Sequence, residues 1–193
     1  MKNLFKIQIA ALFFSMSFSS CSQNIDPIKE YEACCGAEPF EFNVELPDGK
    51  KAYIFVPNAF TPNGDGINDI FAPVLSSEVA NMDYLVIQKE ETDGATVLLY
   101  QAEYITKDNL HLLGWNGKDK NGKTYKGAFN YTAFCNLSDG GAFAVKGTAC
   151  AIACDDDAKY FKEKKGCFYP VQARVDGTLD MTRGNGEDDC FDR

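Results

Sequence analysis

Asn63, Asp65, Asn68 and Asp69 fall within seven consecutive residues of a loop that also contains Pro62, Gly64 and Gly66. Oxygen-bearing side chains at that density could hold a hard cation, and calcium, which takes about six to eight oxygen ligands, is the tentative candidate. The spacing is not that of an EF-hand, because the fifth position from Asn63 is Ile67 and the twelfth is Val74. The competing reading is a turn that caps itself. There Gly64 and Gly66 supply positive φ while Asp65 and Asn68 accept hydrogen bonds from local amides.

Cysteine is the second chemical resource. The chain has eight: Cys21, Cys34, Cys35, Cys135, Cys150, Cys154, Cys167 and Cys190. They lack paired Cys-x-x-Cys units, and the single histidine, His111, is distant from them, so disulfides are favoured over a zinc site. If Cys21 is set apart as a lipidation site, the odd remainder leaves one thiol free or bonded to a partner. Adjacent cysteines rarely pair with each other, so Cys34 and Cys35 are expected to staple their segment to different places.

Catalytic chemistry is not expected. No nucleophile lies in a recognisable motif, and one histidine leaves little material for a hydrolytic triad. Asp188 and Asp189 form an acidic pair, but their polar surroundings offer nothing to raise a pKa for glycosidase work. Trp115, near Tyr125, Phe129 and Tyr131, could form a sugar platform, although in a β protein such residues more often fill the core.

These residues must be positioned by strands. Phe40, Phe42, Val44 and Leu46 alternate with Glu41, Asn43 and Glu45, and residues 51–56 form a second β-rich run after the turn Pro47-Asp48-Gly49. Tyr84-Leu85-Val86-Ile87, residues 96–100, the alternation of Phe129, Tyr131 and Ala133 with Asn130, Thr132 and Phe134, and residues 142–153 extend the series. About seven short strands separated by Gly/Asn/Asp turns predict an all-β, Ig-like antiparallel β-sandwich over residues 40–153. Residues 154–193 read as a small disulfide-linked extension. A helix of about ten residues starts at Asp155-Asp156-Asp157 and ends in lysines before Gly166; a hairpin turns at Asp176-Gly177; an acidic loose tail follows from residue 184.

Residues 1–20 read as an export signal, with Lys2 and Lys6 ahead of an apolar stretch too short to span a bilayer. Phe18-Ser19-Ser20-Cys21 resembles a bacterial lipobox, which implies cleavage before Cys21 and its diacylation; residues 21–39 would then be a polar tether. Loss of the signal removes two lysines and no acid, so the net charge of −9 becomes −11. That excess of acid excludes a nucleic-acid partner of ordinary type.

The run Pro57-Asn58-Ala59-Phe60-Thr61-Pro62-Asn63-Gly64-Asp65-Gly66-Ile67-Asn68-Asp69 closely resembles the signature of the gliding motility-associated C-terminal domain, the type B sorting domain of type IX secretion. A second block, Trp115-Asn116-Gly117-Lys118-Asp119-Lys120-Asn121-Gly122-Lys123 with Gly127-Ala128-Phe129-Asn130-Tyr131, is similar to a pattern that family shares with hook-capping Ig-like domains. The resemblance covers residues 44–153 and implies an Ig-like sandwich recognised by export machinery. In that family the domain ends a larger cargo, whereas here it is most of the chain, behind a lipobox. The combined expectation is a non-enzymatic, lipid-anchored envelope protein, outer-membrane in location, with a structural, adhesive or binding role toward a protein or glycan. The alternative is a component or cargo of type IX secretion, and an envelope enzyme is a more distant third.

Overall fold

The alternation in residues 129–134 continues through an 11-residue strand in the computed structural model, which describes residues 28–36 and 40–192 (for Phe40, its backbone). Eight strands follow in order: β1 (Phe40–Glu45), β2 (Lys51–Val56), β3 (Ala59–Phe60), β4 (Val74–Leu75), β5 (Val79–Glu90), β6 (Thr96–Ile105), β7 (Gly127–Leu137) and β8 (Ala142–Ala151). They form a three-stranded sheet, β1-β2-β4, and a five-stranded sheet, β3-β8-β7-β5-β6. All pairings are antiparallel except β3 with β8, where Ala59 and Phe60 run parallel to Cys150 and Ala151. The fold is therefore an all-β sandwich of the expected kind, with a short parallel seam at one edge.

Inward-facing residues of both sheets meet in one apolar core. Ile54 and Val56 come from β2, Leu85 and Ile87 from β5, Phe129 and Tyr131 from β7 and Val145 from β8. Trp115 is fully buried among Phe60, Phe71, Tyr125 and Phe129, and its indole N–H donates to the Lys118 carbonyl at 2.9 Å. Phe71 joins this cluster through ring contacts with Phe60 and Phe129. The aromatic cluster is core, not a sugar platform.

Strands β3 and β4 are two residues each and left no period-2 signal in the sequence. Residues 110–113 form a single helical turn, α1 (Leu110–Leu113), on which His111 is exposed. Among the described residues no helix is long and apolar enough to cross a membrane. The export signal and Cys21 fall within residues 1–27 and so lie outside the described residues.

The extension departs from its expected elements. The ten-residue helix is reduced to a 3-10 turn, Ala158–Phe161. Asp155 explains the loss: its carboxylate accepts from the Asp157 amide and its carbonyl from Ala158, a local turn that competes with helix initiation. The Asp176-Gly177 turn is present, with the Arg174 amide donating to the Thr178 carbonyl. Its arms make only one β-bridge, Ala173 to Leu179, because residues Pro170–Gln172 coil into a 3-10 turn. The tail is not loose: α2 (Asp188–Phe191) buries Cys190 and Phe191.

Residues 28–36, the described part of the polar tether, are pinned to the domain at three positions. Tyr31, Cys34 and Cys35 join Ala59, Cys150, Ile152, Phe161, Tyr169 and Phe191 in a second apolar cluster. The tether segment and the extension thus share a small core of their own, seated on the β3/β8 edge.

Candidate functional site

The loop between β3 and β4 is where the polar residues of the chain converge. Asp65 closes it locally: its two carboxylate oxygens accept from the Ile67 amide at 2.7 Å and the Asn63 side chain at 2.8 Å. Asp69 reaches back to the Gly64 and Gly66 amides at 2.5 and 2.7 Å. The two glycines have φ of 85° and 92°, a region open to them for want of a Cβ. The Asn63 side-chain oxygen, Oδ1, accepts from the Asp65 amide. Every oxygen of these three side chains is thus engaged inside the loop, and the capping falls to Asp65 and Asp69 rather than to the expected Asp65 and Asn68.

Asn68, the fourth candidate ligand, points elsewhere. It is 7% exposed, donates to Glu187 at 2.5 Å and to the Asn185 carbonyl at 2.8 Å, and accepts from the Val171 amide at 2.9 Å. The four residues do not form one set of oxygens aimed at a cation.

What Asn68 does, Asn58 and Thr61 do also. The Asn58 side chain donates to the Gly166 carbonyl at 2.8 Å and accepts from the Phe168 amide at 2.7 Å. The Thr61 hydroxyl donates to Glu187 at 2.5 Å. Three buried polar residues of the motif therefore bind the C-terminal extension, over sequence distances above 100 residues. Two of them meet at one carboxylate.

That carboxylate is Glu187, 1% exposed. One oxygen serves Thr61 and Asn68, while the other is buried without a hydrogen-bond partner, as is the Tyr169 hydroxyl. Burial pushes the Glu187 carboxyl above its ordinary value; the bonds from Thr61 and Asn68 oppose this, and the charges of Asp65 and Asp69 add to it. Burial also pushes the Tyr169 phenol up, with Glu187 contributing. A Glu187 oxygen and the sulfurs of Cys154 and Cys190 all lie within 4.8 Å of one another.

Among the described residues the cysteines pair as Cys34–Cys150, Cys35–Cys167 and Cys154–Cys190, leaving Cys135 free. The neighbours Cys34 and Cys35 diverge, one to β8 and one to the extension. Cys167 and Cys190 bracket the hairpin turn without bonding each other. Cys135 is 1% exposed on β7, and burial, reinforced by Asp83, pushes its thiol up to about 12. Such a thiol is a small apolar filler at neutral pH.

The two sequence blocks, some 50 residues apart, meet at one corner. Phe71 and Trp115 exchange backbone hydrogen bonds at 2.8 and 2.9 Å. Gly117, at φ 70°, lies so near Pro62 that a Cβ there would sit 2.5 Å from the proline ring. Between the loops lies an open cleft of about 250 Å³ lined by Pro62, Asn63, Gly64, Asp69, Asn116 and Lys118. Asp188 and Asp189 are exposed on α2.

Sequence reasoning overlooked Asn58, Thr61, Tyr169 and Glu187. A buried glutamate within an acidic tail has no periodic or motif signal; its position three residues before Cys190 is the only hint the chain offers. No protein-family model, no curated protein and no solved structure matches the chain.

Proposed function

We propose that this chain is a non-enzymatic, lipid-anchored protein of the bacterial cell envelope that binds a protein or glycan through the outer face of its five-stranded sheet. The observation that carries the reading is an aromatic pair on that face. Tyr84 and Phe134, register partners on β5 and β7, are 44% and 46% exposed and meet edge to face at 6.2 Å. Leu98 on neighbouring β6 is 50% exposed. Aromatic side chains fixed on a sheet supply contact area at little conformational-entropy cost, which is what an adhesive surface needs.

Three disulfides support an oxidising compartment, in keeping with export. The lipobox-like residues 18–21 support anchoring through Cys21. Two tests separate binding from anchoring. A Tyr84→Ser/Phe134→Ser protein should lose binding to isolated envelopes while its melting temperature is held; unchanged binding would sink the adhesive reading. A Cys21→Ala protein should leave the membrane fraction, and persistent membrane association would refute the anchor.

The second reading, a component or cargo of type IX secretion, is favoured by the meeting of the two motif blocks at Pro62/Gly117, beside the Phe71/Trp115 bridge just past the first block. A corner assembled from both blocks is a surface that export machinery could recognise. Fractionation of a strain lacking that pathway decides between them, since unaltered localisation removes the secretion reading.

A further inference from the structure

The three disulfides differ in what surrounds their sulfurs. Cys34 and Cys150 are each 1% exposed. Cys35 is 7% exposed and its partner Cys167 half-buried. In the third pair Cys154 is half-buried while Cys190 is 1% exposed, so an external nucleophile reaches Cys154 first. This pair alone has both a hydrogen-bond donor and a buried acid at its sulfurs among the described residues. The Asn63 side chain donates to Cys154 Sγ at 3.2 Å, and a Glu187 oxygen lies within 4.8 Å of both sulfurs. Glu187 also carries an oxygen with no hydrogen-bond partner.

We propose that Cys154–Cys190 is a thiol–disulfide exchange site, in which an external dithiol attacks Cys154 and Glu187 protonates the departing Cys190. The dithiol's thiolate forms a new S–S bond to Cys154 as the Cys154–Cys190 bond breaks, and the electron pair of that bond leaves on Cys190. Cys190 is sealed from water, so its thiolate needs a proton at once; Glu187 gives it and becomes a carboxylate that recovers a proton from solvent. The second thiolate of the reductant then attacks its own sulfur in the mixed disulfide and expels Cys154. Asn63 steadies that thiolate by its N–H until it too takes a proton. The dithiol ends as a cyclic disulfide, oxidised by two electrons, and the protein holds two thiols.

The consequence is local to the motif. Glu187 is the residue that holds Thr61 and Asn68, so the same carboxyl senses the covalent state of the extension and grips the loop. The groups facing it are Thr61, Asn68, Asp65 and Asp69 from the loop, Tyr169 from the extension, and the two cysteines. Burial and the two aspartates favour the protonated form that the step requires.

The test is reduction of the native full-length protein by dithiothreitol, quenched by alkylation at intervals, with each disulfide followed by peptide mass spectrometry. Cys154 and Cys190 should be alkylated ahead of Cys34 and Cys150. Glu187→Gln should slow opening of this one disulfide by about tenfold or more near pH 5, by less near pH 8, and leave Cys35–Cys167 unchanged. Asn63→Ala should slow the second step, so that the mixed disulfide on Cys154 accumulates. Tyr169→Phe loosens the same pocket and keeps the acid, so its pH dependence should follow the parent protein. Opening no faster than that of Cys34–Cys150, or a Glu187→Gln effect that is equal on all three disulfides or independent of pH, would overturn the proposal.

Discussion

Glu187 is held in a place where its charge is disfavoured, and this has a measurable consequence for stability. Its carboxyl is raised above its ordinary value chiefly by burial. The folded state therefore binds the proton more tightly than the unfolded chain does. The stabilisation this gives is full below the unfolded value and is lost as pH rises through the folded one. Between about pH 4 and pH 8 the urea midpoint of the parent protein should fall more than that of Glu187→Gln, which cannot ionise. Parallel midpoints would show that the carboxyl is not held above its ordinary value. The neighbouring loop residues behave differently: Asp65 and Asp69 are spent on amides of their own loop, and Asn68 on the extension. A turn already satisfied in this way keeps its shape without a cation.

Elements here are held in place by a few close approaches rather than by long regular structure. The loops carrying the two motif blocks are locked where Gly117 meets Pro62, and the backbone at Phe71 and Trp115 adds a two-bond bridge. Gly117→Ala would place a methyl group 2.5 Å from the Pro62 ring at a φ of 70°. The expected loss is about 2 kcal/mol or more, from backbone strain together with the clash. Thermal denaturation checks it, at about 2–4 °C of melting temperature per kcal/mol for a chain of this size. A Gly117→Ala protein that melts with the parent would mean the loops do not need this contact. Strands of alternating burial, such as β7, were legible because period 2 is written directly into residue type. Strands β3 and β4 were not, since two residues carry no period. The expected helix after Asp155 failed for a local reason, an Asx-type turn that ends helix growth before dipole and capping effects can act.

At the scale of the whole molecule, the chain is a sandwich with a cap whose two halves come from opposite ends of the sequence. Residues 28–36 and the extension share a core, and Cys34–Cys150 and Cys35–Cys167 tie them to β8 and to each other. These disulfides close loops of 116 and 132 residues, for which the chain-entropy account gives about 4–5 kcal/mol each, not additive because the loops overlap. A Cys34→Ala/Cys150→Ala protein should lose about 2–5 kcal/mol by chemical denaturation, and a loss below 1 kcal/mol would mean that packing alone holds the cap. The sequence by itself determined the strand-rich sandwich, the disulfide use of its cysteines, and the divergence of Cys34 from Cys35, because each depends on local pattern or counting. Only the tertiary structure decided which cysteines pair, that Asn58, Thr61 and Asn68 serve the extension, and that Glu187 lies buried beside Cys154 and Cys190. Those are contacts between residues mostly more than 100 positions apart, and no local pattern encodes them: they exist because burying the apolar faces of Tyr31, Phe161, Tyr169 and Phe191 together brings their polar neighbours to the same corner.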